Sequence, residues 1–571
     1  MKWISTQIPL NQTIQQLSAA LASNGAAFPL PLTNILVQRG IDTFDKAKYY
    51  FVPNIAEMHD PFLMKDMDKA TERLLQAKIN KEKILVYGDY DVDGTTSVAM
   101  MSLFLTDWGF DFEYYIPDRY TEGYGVSFKG MEYAAKIGAK VIVSLDCGIK
   151  ANEKVTFAKL RGIDFIVCDH HKPGDELPDA YAVLDTLQDD CQYPCKDLSG
   201  CGVGLKLIQG LTKVLVNAGF PLPQKDYDPI LQFCDLGALS IACDIVPIVG
   251  ENRIITFFGL KKLRENPGIG LKAIMDLAKG ERKWEISDLV FFIGPRVNSA
   301  GRLGSAKDAV EVMLGKHEKL ALLAEELHDT NHERKSIDTD ITAEALELIA
   351  NDSLYPQKST TVLYKSDWHK GVIGIVASRL IEKHYRPTIL LTESDDKWVG
   401  SARSVIGFDL YAALEKCSDF MIQFGGHKYA AGMTVKPENL AAFAAAFDKV
   451  VTDTILPTQK EPILFTDHDL PFPEINDRLL RLLQRMEPFG PENPEPVFTA
   501  YKVEITDYTI LKEAHLRLVL KQHGITFTAI GFGMAEKFRT SNPTFVNIAF
   551  HLHQNNWHGK QSIQLMLKDF V

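Results

Sequence analysis

Three aspartates at alternate positions, Asp89, Asp91 and Asp93, follow the apolar run Ile84 to Tyr87 and precede Gly94 and two threonines. Side chains in extended chain alternate faces, so carboxylates at i, i+2 and i+4 would share one side and repel one another. Either the segment is a solvated acidic turn or a positive charge lies among the three. The flanking strand and the trailing glycine favour the charge. Oxygen ligands at this density suit hard divalent cations such as Mg²⁺ or Mn²⁺ better than zinc.

The arrangement recurs. Lys140 to Leu145 is an apolar run ending in Asp146-Cys147-Gly148, and Phe165 to Cys168 ends in Asp169-His170-His171. Asp244 follows a further apolar run, Ala238 to Cys243, read as another strand. In open parallel α/β sheets ligands bind at the carboxyl ends of the strands. One acid after one strand is ordinarily a hydrogen-bonded loop residue, whereas four such places in one stretch of chain point to a shared site.

In the order YGDYDVDG, DCG, DHH and ACDIVP, these segments resemble motifs one to four of the DHH phosphoesterase superfamily. Further blocks resemble its RecJ branch of single-strand-specific exonucleases: GPRVNSAGRLG (Gly294 to Gly304), NHERK (Asn331 to Lys335), WHKGVIGIVASRL (Trp368 to Leu380), GSARS (Gly400 to Ser404) and FGGHKYAAGM (Phe424 to Met433). The resemblance implies two divalent cations, Mn²⁺ or Mg²⁺, held by Asp89, Asp91, Asp93, Asp146, His170 and Asp244, with Asp146 as the bridge. It casts Asp169 as the acceptor that orients a neighbouring histidine, and His171 as acid or charge stabiliser at the scissile phosphate. Ser401 and Arg403 would hold a 5′-terminal phosphate. Arg302, Arg296, Asn298, Arg119 and His427 complete the implied substrate contacts. The family's first motif often begins with His where this chain has Tyr87, a poor neutral metal ligand, which leaves the division of ligands between the cations open.

The activity this resemblance implies is 5′-to-3′ hydrolysis of single-stranded DNA to 5′-mononucleotides, in DNA repair and recombination. By family analogy the protein is a cytoplasmic monomer whose partners are a RecQ-type helicase and a single-strand-binding protein. Two rival readings are a DHH phosphodiesterase acting on short oligonucleotides or cyclic dinucleotides, and a non-catalytic DNA-binding scaffold. The first would lack the Gly294 to Gly304 block and a terminal barrel, and the second would have lost metal ligands.

These residues need elements to position them, and 571 residues suffice for several domains. The expected class is α/β: a DHH-type parallel sheet domain and a DHH-associated α/β domain joined by a long helix, with a C-terminal OB-like β-barrel. Residues 1–75 read as a helical lead-in. Strands and helices alternate over 76–255, the pattern of βαβ units. Residues 256–357 read as mainly helical, and Glu318 to Ala350, apolar at 3- and 4-residue spacing without proline, reads as the connecting helix. Arg296, Asn298 and Arg302 precede it in a glycine-punctuated loop, where the arginines pair with local acids or contact phosphate. The DHH-associated domain spans 358–456, with Val399 to Ser404 forming a small-residue turn after a strand, an anion cradle of backbone N–H groups and Arg403. His427 reads as a helix cap or as a residue facing the active site. Residues 457–571 carry short strands, with Trp557-His558-Gly559 at a turn before the last. Such barrels bind single strands by basic grooves and stacked aromatics, although this one is not rich in lysine or arginine.

A net charge of −12 runs against the basic character common in nucleic-acid binders, so binding would need a local basic channel. The amino terminus lacks the apolar core of a signal peptide, and no run approaches the length of a membrane span. The eight cysteines form no CxxC pair and read as reduced thiols. Cys191, Cys195 and Cys201 lie close together without an evident fourth zinc ligand.

Overall fold

A computed structural model describes residues 1–7, 9–22, 27–280, 282–541, 543–557 and 560–571. The chain divides into two compact units. The larger comprises residues 3–298, 306–324 and 465–571; the smaller comprises 1–2, 299–305 and 325–464.

The larger unit contains a five-stranded parallel sheet of β1 (Ile84–Gly88), β2 (Phe112–Tyr115), β3 (Val141–Leu145), β4 (Asp164–Cys168) and β5 (Ala182–Leu184), in the order β2-β1-β3-β4-β5. Strands β1 and β3 are buried throughout. Covered on both faces, they carry continuous apolar runs rather than an alternating pattern. Register aligns Gly88 with Leu145 and Leu145 with Cys168, so the residues after each strand emerge along one edge. Helices α1 (Val92–Asp107), α2 (Gly200–Asn217), α3 (Pro229–Cys243) and α4 (Gly250–Glu265) pack together beside the sheet.

The run Ala238 to Cys243 is therefore the last part of a helix, not a strand. Every residue from Phe233 to Ala242 is buried, and a helix buried all round shows the unbroken apolar run of a buried strand. Similarly, the glycine-punctuated segment forms α5 (Gly294–Leu303), entered through a π-helical turn, Leu289–Ile293. Pro295 comes just after that π-helical turn. A Cβ on Gly294 would come within 2.5 Å of Cys243 Sγ. The long helix is present as α6 (Leu320–Asn351).

In the smaller unit, β6 (Thr361–Tyr364), β7 (Thr388–Ser394), β8 (Lys397–Arg403), β9 (Met421–His427) and β10 (Ala430–Val435) form a sheet in the order β9-β10-β8-β7-β6. Helix α7 (Ile373–Lys383) packs on β7 and β8. The last five strands of the chain, β11 (Phe498–Leu511), β12 (His515–Gln522), β13 (Ile525–Gly531), β14 (Phe545–Trp557) and β15 (Lys560–Phe570), pair in the order β11-β12-β13-β15-β14 and close through β11 with β14. Several run well beyond the short strands expected. His558 and Gly559 of the expected turn lie outside the described residues. Among the described residues no helix is long and apolar enough to cross a membrane.

One buried ion pair ties these parts of the larger unit. Lys206 on α2 and Glu251 on α4 are both fully buried and meet at 3.1 Å. Glu251 also accepts from the Tyr193 hydroxyl at 2.5 Å and the His59 N–H at 2.9 Å. Removing one partner of such a pair strands the other charge in a dry environment, so Glu251→Ala should cost about 3–5 kcal/mol in urea unfolding. A loss below about 1 kcal/mol would show that Lys206, whose pKa burial already lowers, sheds its proton instead.

Candidate metal centre

The three alternate aspartates do not line one face of a strand. The chain turns from β1 into α1 between them. Asp89 stands at the strand end, Asp91 is the N-cap of α1 and accepts from Gly94 N–H, and Asp93 lies in the first turn. Gly94 is obligatory here, because a Cβ would meet Asp89 backbone atoms at 2.4 to 2.7 Å. Asp93 is gripped by the start of α2: Oδ2 accepts from Gly200 N–H at 2.7 Å, and Oδ1 from Cys201 N–H and the Ser240 hydroxyl, each at 2.8 Å. A carboxylate at a helix N-terminus is stabilised by the unpaired N–H groups and the helix dipole.

Asp146, after β3, adopts a left-handed backbone at φ 59°. Its own N–H donates to the Cys168 carbonyl at 2.9 Å, which fixes the bend. Asp169, after β4, is fully used as an acceptor. Its Oδ2 takes the Ile149 N–H at 2.9 Å, while Oδ1 takes the backbone N–H groups of His170 and His171 and contacts His171 Nδ1 at 2.7 Å. Asp244 is the C-cap of α3, so this acid comes from a helix end rather than a strand end.

These placements converge on one atom. His170 Nε2 lies 3.3 Å from Asp146 Oδ1, 3.5 Å from Asp244 Oδ2 and 3.8 Å from Asp93 Oδ2. It is buried without a hydrogen-bond partner, as is Asp89 Oδ2. Two ligand-capable groups result, Asp93 with His170 and Asp244, and Asp146 with His170 and His171, the donor atoms of each lying within 4.8 Å of one another. Burial, then the charges of Asp93, Asp91 and Asp244, holds Asp146 far above the ordinary carboxylate range. Asp244 is pushed up by burial, then by Asp93 and Asp91. Asp89 is raised by burial and Asp91, and Asp91 by burial and Asp93. Carboxylates packed this closely ionise only beside a cation. A set dominated by carboxylate oxygens with one or two imidazoles fits a hard divalent ion such as Mn²⁺ or Mg²⁺.

His171 is braced from both sides, with Asp169 at Nδ1 and the Tyr124 hydroxyl 3.1 Å from Nε2. Burial alone would lower its pKa, but the hydrogen bond and charge of Asp169 outweigh it and bring it to about 9. Tyr87 is fully buried, its hydroxyl donating to Gly125 O at 3.0 Å and accepting from Ser127 N–H at 3.1 Å. It anchors a loop and takes no ligand position. In that loop Arg119 stacks over the Tyr90 ring at 4.8 Å.

Of the expected substrate residues in the larger unit, Arg296 is 4% exposed, lies 3.6 Å over the Phe292 ring and donates to the Phe292 carbonyl. This packing covers one face of its guanidinium. Asn298 lies in the same helix. In the smaller unit, Arg302 donates to the Gly371 carbonyl at 2.8 Å and Arg403 to the Ser401 hydroxyl at 3.1 Å. Ser401 and Arg403 lie within β8, not in a turn after it, two residues apart on one face. The ladder uses the backbone N–H groups, so an anion there meets side chains rather than an N–H cradle. Helix α7 comes close at Gly374, where a Cβ would stand 2.7 Å from Ser401 Oγ and 3.0 Å from Arg403 Nη2. His427 ends β9 and is exposed.

Sequence reasoning missed Gly200, Cys201 and Ser240, which hold Asp93, and Tyr124, which holds His171. The signal for the first group was present, since Ser199 followed by Gly200 and an apolar run is a helix-start pattern. It also missed Asp338 on α6, fully buried and paired with Arg379 at 2.7 Å and Arg334 at 3.4 Å.

Three family models match: the DHH family N-terminal domain over residues 83–236, the DHHA1 domain over 357–453 and the RecJ OB domain over 466–569. Fold and site together define a DHH-class protein. The single-stranded-DNA-specific exonucleases RecJ of Escherichia coli (strain K12) and Salmonella typhimurium are 33% and 34% identical to it, each over 88% of this chain and over 89% and 90% of their own lengths. The crystal structure of RecJ from Thermus thermophilus in complex with Mn²⁺ superposes with a TM-score of 0.84 at 26% identity, covering 100% of this chain and 79% of that one. The chain belongs to the RecJ family.

The close approach at Gly200 can be tested directly, because a Cβ there would lie 2.5 Å from Asp146 Cβ and 2.8 Å from its Cα. Gly200→Ala must therefore displace Asp146, and calorimetric titration should show Mn²⁺ affinity reduced by about 10- to 100-fold; an unaltered affinity would mean that Asp146 does not depend on this contact. Asp185, after β5, is buried with Oδ2 unpartnered. Burial pushes its pKa up to about 7, against the Leu187 N–H bond and with help from Asp169. A carboxyl raised from its unfolded value of about 3.9 lends stability that is complete below about pH 4 and is lost as pH rises through 7. Asp185→Asn should thus gain thermal stability relative to wild type between pH 5 and pH 8, and a difference that is flat with pH would refute the assignment.

Proposed function

We propose that this protein hydrolyses single-stranded DNA from the 5′ end, releasing 5′-mononucleotides, with two divalent cations at the site built by Asp89, Asp91, Asp93, Asp146, His170 and Asp244. The observation that carries this reading is the convergence of Asp93, Asp146 and Asp244 on the unpartnered His170 Nε2. Its support from relatives is the single-strand-specific exonuclease activity for which the RecJ proteins are named, and the Mn²⁺ and Mg²⁺ in two RecJ structures from Thermus thermophilus.

Bound cations supply a Lewis acid to the attacking water and to the leaving oxygen. The chain supplies the rest. His170 is common to both ligand groups, and Asp146, 3.3 Å from its Nε2, would be the carboxylate shared between the cations. Asp169 accepts from His171 and keeps that ring in a fixed plane, so the imidazole can face the scissile phosphate with a proton to give. Ser401 and Arg403, with Arg302, grip the terminal phosphate and give the enzyme its polarity, while His427, Asn298 and Arg119 guide the strand. Residues 76–255 carry the chemistry, 358–456 the end recognition and 457–571 the single-strand grip.

Assay with Mn²⁺ and 5′-labelled single-stranded, duplex and dinucleotide substrates tests this. Mononucleotide release from single strands is expected, whereas release from dinucleotides alone would indicate a short-oligonucleotide phosphodiesterase, and no hydrolysis would indicate a scaffold. Asp146→Ala should abolish turnover and retain DNA binding. Arg403→Ala should raise KM for 5′-phosphorylated over 5′-hydroxyl strands by roughly 10- to 100-fold, the worth of one charged hydrogen bond. Equal KM effects on the two strands would remove Arg403 from end recognition.

A further inference from the structure

Beside the metal centre the larger unit exposes two apolar side chains that folding alone does not explain. Phe291 is 75% exposed, at the middle of the π-helical turn Leu289–Ile293. Single π-turns inside helices are found frequently at functional sites. The neighbouring Phe292 takes the opposite course, clamped under the Arg296 guanidinium at 3.6 Å, with Arg282 at 5.1 Å and Trp284 edge-on at 5.7 Å. With Phe292 fixed inward, Phe291 is held outward. Ile245 directly follows the carboxylate of Asp244. It is 69% exposed and has φ 61°. A β-branched residue in the left-handed region is strained by about 1–3 kcal/mol, and such strain collects at ligand clamps. Glycine or asparagine would relieve it at no loss of core.

The two features are neighbours through Cys243. Its thiol contacts the Leu289 carbonyl at 3.6 Å, and a Cβ on Gly294, just after the π-turn, would stand 2.5 Å from its sulfur. Cys243 directly precedes Asp244, so the π-turn packs against the segment that carries this carboxylate and Ile245. An apolar, uncharged surface at this place cannot attract a phosphate, which would prefer guanidinium or the cations. It suits the face of a nucleobase, whose stacking on an aromatic ring is tolerant of sequence.

We infer that Phe291 and Ile245 form a stacking platform for a nucleobase of the single strand whose backbone lies at the metal centre, a role that rests on the nucleic-acid reading of that site. The platform reads the presence of a base, not its identity. It is tested by binding, without turnover, in EDTA. A 3′-labelled oligothymidylate is compared with a strand of equal length made of abasic tetrahydrofuran residues, by fluorescence anisotropy. Wild type should prefer the base-bearing strand. Phe291→Ala should weaken binding of that strand by roughly 5- to 100-fold and bind the abasic strand as wild type does, and Phe291→Trp should restore the preference. Ile245→Gly should raise the melting temperature while weakening the base-bearing strand. The inference is overturned if wild type shows no preference, if Phe291→Ala binds the base-bearing strand normally, or if it loses affinity for both strands equally. Because no cleavage is read, failure of the Mn²⁺ assay sinks the exonuclease reading alone, and loss of base discrimination in an active exonuclease sinks the platform alone.

Discussion

Carboxylates crowded around one imidazole are the constraint from which the architecture of the larger unit follows. Two like charges at 4.8 Å, the limit within which the donor oxygens of Asp93 and Asp244 lie, repel by about 3–4 kcal/mol at an effective dielectric near 20. Several such pairs, added to the cost of burial, would unfold a marginal domain if nothing answered them. The fold answers with fixed positive potential: the start of α2 against Asp93, backbone N–H groups against Asp169 and Gly125 N–H against Asp89 at 3.2 Å. What remains unanswered is concentrated on His170 Nε2 and Asp89 Oδ2, the atoms a cation would satisfy.

Holding that geometry requires backbone that few sequences tolerate. Asp146 is in the left-handed region, and Gly94 and Gly200 are the positions where any side chain would strike Asp89 or Asp146. The glycines flanking the acids are therefore part of the metal centre as much as the acids are. Their role is to let separate elements approach until their carboxylates meet.

The parallel sheet is legible in the sequence because buried strands in α/β folds write themselves as short apolar runs, and the acids directly after β1, β3 and β4 mark the ligand edge. Asp244 joins the cluster from a helix end instead of the strand end expected, since ALSIAC reads the same in a helix buried on all sides. Arg296 shows a contact of another kind. Its type and motif suggest phosphate, yet the neighbouring Phe292 captures its guanidinium face, a tertiary preference that spacing does not encode. The approach of α2 to Asp93 joins residues more than a hundred positions apart, so only the sequence signature of the helix start, not its destination, can be read.

Tyr87, at the end of a strand beside the carboxylates, takes no ligand position. The tyrosine instead turns its ring into the core, stacked on Tyr115 at 5.5 Å, and uses its hydroxyl to hold Gly125 and Ser127. Fixing Gly125 fixes Tyr124 beside it, and Tyr124 reaches His171 Nε2. The tyrosine thus fixes a loop that braces the second histidine, while His170 faces carboxylates from three separate elements, the first turn of α1, the end of β3 and the end of α3.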